Sequence, residues 1–484
     1  MLKKTGIILA GIALAVVIIH VFSQKYVSNI SLLFIPLSAV LIIFFLFLKM
    51  KAEWILMFII LNIMIGSANL FEVSFLNFNR LMGAIIIGLF FVEFFILKNR
   101  RFNFSFQGVW ILLFAMVIIF STFFSVNLNI SIETLRLYIR VFLLYFLITN
   151  IITSSQWIRK FIYLLLLGGA IITVFSIIDN YTYKKYRLPI TDKLGITSTT
   201  PEMYEMMIRK RDPNRLYGAL GYTKDANYFA LILVTLFPLA FIFMDDKKKL
   251  IIIFCYISEV LIFLGIIFSL SRAAILALFI ITILMIKRSL IPKKILIVTL
   301  MVIVISLPIL SRRSLKRVYN FVLYPFNMKK TDSMDIRNIS SRIDCIKAGI
   351  QMFFDYPFFG VGIGNYPYIY PKYAPSEAER TTRYAHNTYI QILTETGLIG
   401  FIFFIAGILL NFLALGRIKR LTIEKGDEFL YKVSNLLEIS FVAFLIASFF
   451  VSAASVDIFW IIIAASTSLY IIANQNDIFL RDLI

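Results

Sequence analysis

The 484-residue chain is poor in charged residues, cysteine and histidine. Only 15% of its residues are Asp, Glu, Lys or Arg, whereas 60% are hydrophobic, and the mean hydropathy is +0.89. This composition excludes a soluble globular protein of this size, which needs more charged surface, and indicates a polytopic membrane protein. The two cysteines, Cys255 and Cys345, fall in an apolar run and in a polar loop, so we expect no disulfide.

Apolar runs long enough to cross a bilayer core of about 30 Å as helices recur along the chain. We predict an all-α protein with about fourteen transmembrane helices (a range of roughly 12–14), and we expect the first run to be a retained helix rather than a signal peptide. The predicted spans lie near 6–22, 31–49, 53–69, 82–97, 109–124, 137–153, 161–178, 227–244, 250–268, 272–287, 293–310, 397–414, 436–452 and 456–473.

Short basic segments set the expected orientation. If the amino terminus is cytoplasmic, alternate connections such as "KNRRF" and "KRSLIPKK" are basic, as short cytoplasmic loops are. Both termini are then cytoplasmic, and two long loops lie outside. The predicted organisation is an amino-terminal membrane region (1–178), a first outer loop (179–226), a middle membrane region (227–310), a large outer loop (311–396) and a carboxy-terminal membrane region (397–484).

The large outer loop contains a predicted amphipathic helix, because Ile343, Ile346 and Ile350 recur at helical spacing before Asp355-Tyr356-Pro357. We expect it to lie on the outer face of the bilayer. Both outer loops are also basic. This positive charge has two possible roles. It can attract anionic lipid headgroups, or its arginine side chains can bind an anionic substrate such as a lipid-linked pyrophosphate.

Arg272 lies in "FSLSRAAILALF", between two apolar runs with no polar loop around it. A guanidinium at such a depth is costly unless it faces a cavity or a partner, so Arg272 is a candidate functional residue. The alternative is that its side chain snorkels to the outer interface.

Four segments in order resemble the superfamily of O-antigen ligases and polymerases, which act in bacterial envelope synthesis. The most specific parts are an Arg that opens an amphipathic helix, the following "D-x-P-x-x-G-x-G-x-G-N", and "H-N-x-[aromatic]-x-Q-x-x-x-E-x-G". The four segments are "RLYGALGYTKDANYFA" at 215–230, "SLSRAA" at 269–274, "SSRIDCIKAGIQMFFDYPFFGVGIGNY" at 340–366 and "AHNTYIQILTETGLIG" at 385–400.

The resemblance implies a GT-C-like fold and metal-independent glycosyl transfer at the outer face of the cytoplasmic membrane, from a donor glycan on undecaprenyl pyrophosphate. It implies that Arg272 and Arg342 hold the pyrophosphate and that His386 is the base. The chemistry agrees with this assignment. Neither outer loop contains an Asp-x-Asp pair for a metal, arginines can stabilise phosphate charge, and an imidazole suits removal of a hydroxyl proton at neutral pH.

Each assignment has a structural alternative. For His386, the alternative is an imidazole at the membrane interface that makes one hydrogen bond, as we assume for His20. Asn387 and Glu395 orient the imidazole or bind sugar, although helix capping also explains Asn387. Arg215 and Asn227 are further candidate donor contacts, and Arg383 and Tyr384 candidate sugar contacts, with an interfacial aromatic as the alternative for the tyrosine. "GVGIGN" at 360–365 resembles a dinucleotide fingerprint, but no strand precedes it, so we expect glycines in tight turns.

We expect a polymerase that joins lipid-linked repeat units into a surface or wall polysaccharide, such as teichuronic acid in a Gram-positive organism. A ligase that moves a finished glycan to a lipid or protein acceptor is the alternative. A flippase is less compatible with the sequence, because the sequence has no internal repeat and few charged residues in the middle of its spans. The clearest of these charged residues are Arg140 and Glu259. The expected partners are the undecaprenyl-pyrophosphate oligosaccharide, the glycan acceptor, membrane lipids and a flippase or chain-length regulator, with no cofactor, metal or nucleic acid.

Overall fold

The computed structural model describes residues 52–65, 105–182, 215–218, 225–290, 333–375 and 382–481, with the isolated positions 88, 91 and 103. The predicted spans at 6–22, 31–49 and 293–310 lie outside the described residues, as do His20, nearly all of 82–97 and most of the first outer loop.

The described part of the chain is built of helices without strands, as the sequence predicts. It contains twelve α-helices and one 3₁₀ helix, and ten of these α-helices lie at or near predicted spans. They are α1 (Ala52–Ile65), α2 (Phe106–Phe123), α3 (Leu128–Ile151), α4 (Ser155–Thr182), α5 (Ala226–Leu236) with the 3₁₀ helix (Phe237–Phe243), α6 (Lys249–Ser269), α7 (Arg272–Lys287), α8 (Ser333–Asp355), α9 (Tyr366–Tyr373), α10 (Thr388–Lys425), α11 (Glu428–Ser448) and α12 (Asp457–Arg481).

Seven helical segments among these residues are long and apolar enough to cross a membrane. They are α2, α4, α5 with its 3₁₀ continuation, α6, α10, α11 and α12. The shorter α1 is also apolar. The full expected number of about fourteen spans, the GT-C-like arrangement and the orientation stay predictions.

Aromatic side chains form the centre of the bundle, where α10 packs against α2 and α12. The rings of Trp110 and Trp460 stack with centroids 6.1 Å apart, and Phe142 meets Trp460 edge-on at 5.0 Å. The Trp110 indole N–H also donates to the Phe403 carbonyl at 2.6 Å. Such large buried rings contribute most of the apolar contact that holds helices together.

An ion pair connects α3 to α12 inside the bundle. The Arg140 Nη2 atom lies 2.9 Å from both carboxylate oxygens of Asp457, whose side chain is 3% exposed. Arg140, which the sequence offered as a mid-span charge for transport, therefore has a structural partner. Because both charged groups are largely removed from water, loss of either partner would leave the other charge uncompensated inside the protein.

The amphipathic helix predicted before Asp355 is present as α8. Its buried side chains Cys345, Ala348 and Met352 pack against α9 and α10, whereas Ile343 and Ile350 are exposed. The helix thus has one apolar side turned to the protein and another turned outward. This arrangement is compatible with the expected position at a bilayer surface, which stays a prediction.

The close contact between α2 and α10 depends on Gly407. A Cβ atom at this position would lie 1.9 Å from the Trp110 ring, whereas one at Gly416 on the same helix would meet nothing within 4 Å. We expect Gly407→Ala to lower the free energy of unfolding by about 1–3 kcal/mol through overpacking. Gly416→Ala is the matched control and should be neutral or slightly stabilising. Thermal unfolding in detergent measures both, and equal effects would contradict the packing described.

Candidate functional site

The stretch "SLSRAA" forms a sharp turn between α6 and α7 that sets the position of Arg272. Leu270 has a left-handed backbone with φ of 53°, and α7 begins at Arg272 two residues later. A cation at a helix amino terminus opposes the helix dipole, which favours an anion there by about 0.3–1 kcal/mol. Arg272 therefore occupies a position that local electrostatics disfavour and that is suited to an anionic ligand.

Arg215 and Asn227 attach the neighbouring segment to this turn. The Arg215 Nε atom donates to the Ser269 carbonyl at 2.5 Å, and its Nη2 atom donates to the Asn227 side-chain oxygen at 2.8 Å. That same oxygen accepts from the Ser271 hydroxyl at 3.1 Å. These polar groups are therefore used within the protein, and a positioning role explains Arg215 and Asn227 as well as the predicted donor contact does.

Arg342, on α8, lies within electrostatic reach of the same group. Desolvation lowers the pKa of the Arg342 guanidinium, and the positive charges of Arg272 and Arg215 lower it further, while Asp225 opposes the shift. The structure thus brings together arginines from three segments that are far apart in the sequence. Their mutual repulsion would be relieved by a bound anion.

His386 faces this arginine cluster from the start of α10. Its backbone is left-handed, with φ of 49°, a conformation that costs a non-glycine residue on the order of 1–2 kcal/mol. His386 is exposed to solvent, yet the protein atoms around its imidazole lower its pKa by partial desolvation. The charges of Arg342 and Arg383 lower the pKa further and Asp225 raises it, so the ring is held neutral at neutral pH.

Asp225 is a member of this cluster that the sequence analysis did not identify. Its carboxylate accepts from the backbone N–H groups of Asn227 and Tyr228, at 2.7 and 3.2 Å, and so caps α5. An Asp before an apolar run indicates a helix cap, and that pattern gives no sign of a nearby imidazole. The only available signal was its place within the segment at 215–230.

Asn387 caps α10, as its structural alternative predicted. The side-chain oxygen of Asn387 accepts from the backbone N–H groups of Tyr389 and Ile390, at 2.9 and 3.0 Å. This bond fixes the chain direction immediately after His386. A direct sugar contact by Asn387 stays a prediction, and the geometry favours capping.

Glu395 is buried behind the site, with 1% of its surface exposed. Its Oε1 atom accepts from the Tyr366 N–H at 3.4 Å, Gly364 N–H also donates to the carboxylate, and Oε2 accepts from Gln391 at 3.2 Å. Sugar binding by Glu395 stays a prediction. Its contacts favour a role in holding the glycine turn at 360–365.

The three glycines of this turn adopt left-handed backbones, as expected for tight turns rather than a dinucleotide site. Gly360, Gly362 and Gly364 have φ of 72°, 96° and 76°. The turn is bound to α10 by hydrogen bonds from Val361 N to Thr394 O at 3.0 Å and from Gly362 N to Glu395 O at 3.1 Å. The segment that carries Arg342 is thereby fixed to the helix that follows His386.

No group of three or more His, Cys, Asp or Glu side chains that could hold a metal ion occurs among the described residues. The site is instead a cluster of arginines with one imidazole and one exposed carboxylate. Such a set can bind and stabilise phosphate charge and can accept a proton from a hydroxyl group.

Removing charges of opposite sign near His386 should shift its pKa in opposite directions. Arg383→Gln removes a positive charge and should raise the pKa of His386, whereas Asp225→Asn removes a negative charge and should lower it. Histidine-selective labelling and NMR titration can measure both shifts, and His20→Gln leaves His386 as the single histidine. Shifts of the same sign in the two variants would contradict the arrangement.

Substitutions of Glu395 can distinguish a role in supporting the glycine turn from a direct contact with sugar. Glu395→Ala leaves the N–H groups of the glycine turn without their acceptor and should lower the free energy of unfolding by at least about 2 kcal/mol. Glu395→Gln keeps an acceptor, and the Gln391 amide can turn its unsatisfied oxygen toward the new donor, so we expect a cost below about 1 kcal/mol. Thermal unfolding distinguishes them, and equal stability of the two variants would exclude the supporting role.

The comparisons with known proteins agree with the resemblance found in the sequence. No curated protein matches the chain. Residues 257–405 match the family model of O-antigen ligases, a segment that includes Arg272, Arg342, Glu395 and His386. With its several apolar helices, the chain is a multi-pass membrane protein. This matching segment covers less than a third of the chain, and it is the part of the sequence that is similar to O-antigen ligases.

Proposed function

We propose that the protein polymerises a bacterial surface or cell-wall polysaccharide at the outer face of the cytoplasmic membrane. The donor is a glycan on undecaprenyl pyrophosphate, and the acceptor is a sugar hydroxyl on another lipid-linked repeat unit. The observation that supports this proposal is that Arg342, inside α8, lies within electrostatic reach both of Arg272 at the start of α7 and of His386 just before α10.

In the proposed reaction, the His386 imidazole takes the proton from the acceptor hydroxyl as its oxygen attacks the anomeric carbon of the donor. The bond between that carbon and the pyrophosphate oxygen breaks, and the bonding electrons leave with undecaprenyl pyrophosphate. Arg272 and Arg342 bind the pyrophosphate and stabilise the charge that develops on the leaving oxygens. The proton on His386 then passes to solvent.

The basicity of His386 fits this role. An imidazole ordinarily has a pKa near 6.5, and the arginines and desolvation lower that of His386, so the neutral form predominates at pH 7. A base must be deprotonated to act, and the rate should therefore rise with pH on the acidic side and level off below the ordinary histidine pKa. The left-handed backbone at His386 also supports a functional role, because strained residues are retained where geometry matters.

The test uses the purified protein in lipid nanodiscs with a synthetic undecaprenyl-pyrophosphate repeat unit. We expect a ladder of lengthening glycans. His386→Ala should lower the rate by about 10²–10⁴, the usual contribution of a positioned base, while donor binding stays within a few-fold. His20→Ala, the matched control at the other histidine, should keep its activity. Full activity of His386→Ala would overturn the mechanism.

Ligation is the second candidate, because the matching family model is that of O-antigen ligases. A ligase uses the same donor chemistry but transfers one finished block to a different acceptor. A single product band with a separate lipid or protein acceptor would favour ligation over polymerisation. Activity that is lost on chelation of divalent ions would count against the role of the arginines.

A further inference from the structure

Thr388 makes two hydrogen bonds to the loop that joins α11 to α12. Its hydroxyl is fully buried, donates to the Val451 carbonyl at 2.6 Å and accepts from the Ala453 N–H at 2.9 Å. Most buried threonines of this bundle instead donate to a carbonyl of their own helix, as Thr422 does to Ile418. The first residue of α10 is therefore bound to a different part of the chain, two positions after His386.

The same loop also binds the start of α5. The Tyr228 hydroxyl donates to the Ser452 carbonyl at 2.6 Å, between the two residues that Thr388 contacts. Tyr228 follows Asn227, whose side chain joins Arg215 to the turn before Arg272. Residues 451–453 thus receive hydrogen bonds from both the arginine side and the histidine side of the site.

His386 needs such support because its left-handed backbone is not the favoured conformation of a non-glycine residue. Before it, Ala385 is buried among the side chains of α8 and α9. After it, the Asn387 cap fixes His386 relative to its own helix but not relative to the arginines. Thr388 supplies that second constraint, since its partners lie in the loop that also holds Tyr228.

We propose that Thr388 is a positioning residue whose hydroxyl, through residues 451–453, keeps the His386 imidazole in register with the arginine cluster. The inference rests on the proposed function, in which His386 is the base. Thr388 touches no reacting atom in this scheme. Its effect should therefore fall on the chemical step rather than on donor binding.

The decisive variant is Thr388→Val, which keeps the side-chain shape and removes both hydrogen bonds. We expect kcat to fall on the order of tenfold to hundredfold, because small misplacements of a reacting group have effects of this size, with KM changed less than about threefold. Thr388→Ser restores a hydroxyl and should recover most of the rate. Thr422→Val, the matched control, removes a buried hydroxyl that bonds only its own helix and should keep wild-type kcat.

A second measurement does not depend on enzymatic activity. In the His20→Gln background, the NMR titration of His386 reports its surroundings directly. Thr388→Val should move the His386 pKa toward its ordinary value, because a displaced ring is better solvated and lies farther from Arg342, and Thr388→Ser should not. Tyr228→Phe removes the other bond to the loop and should lower kcat in the same direction.

The outcomes separate the two proposals. If His386→Ala is inactive but Thr388→Val has wild-type kcat and an unchanged His386 titration, the positioning role is wrong and the proposed base remains. If His386→Ala keeps full activity, the proposed function itself fails. Should Thr388→Val not fold, Tyr228→Phe decides the matter, and wild-type kcat in that variant overturns the role of the loop.

Discussion

The site depends on one close contact between two backbones, where α10 is broken at Gly397 and meets the turn after α8. Gly397 has φ of 66°, and a Cβ atom there would lie 2.3 Å from the Phe358 carbonyl oxygen. The Leu398 N–H donates to the Pro357 carbonyl at 2.7 Å across the same contact. Only glycine permits this approach. Because Arg342 lies on the helix before this turn and His386 lies before α10, the contact places α8 beside α10.

A second set of contacts joins this unit to the remaining arginines. The loop between α11 and α12 binds Thr388 on one side and Tyr228 on the other, and Arg215 joins its own segment to the turn before Arg272. The site is thus assembled from helix ends, short turns and the interior of α8, each of which is anchored to the bundle. Precise placement of reacting groups comes from such rigid support rather than from the side chains alone.

Composition and periodicity were sufficient to predict the long apolar helices and α8, but not the short α9, because apolar runs and helical spacing are local properties. The glycines in tight turns at 360–364 were predictable, because three glycines occur within these five residues. The break of α10 at Gly397, which packs against a turn, was not predictable, because it depends on a contact with a segment distant in sequence. The supporting role of Glu395 and the proximity of Asp225 to His386 were not predictable, because both depend on contacts between segments distant in sequence.

The arrangement has an electrostatic cost that points to its ligand. Desolvation and the positive charges of Arg272 and Arg215 lower the pKa of Arg342, and the negative charge of Asp225 opposes this shift only in part. A protein stabilised only for folding would not gather like charges beside a strained histidine. A doubly anionic group such as a pyrophosphate would relieve the repulsion when it binds. After desolvation, the charge of Arg342 also lowers the pKa of His386, so a cation that would bind the proposed donor also favours the neutral form of the proposed base.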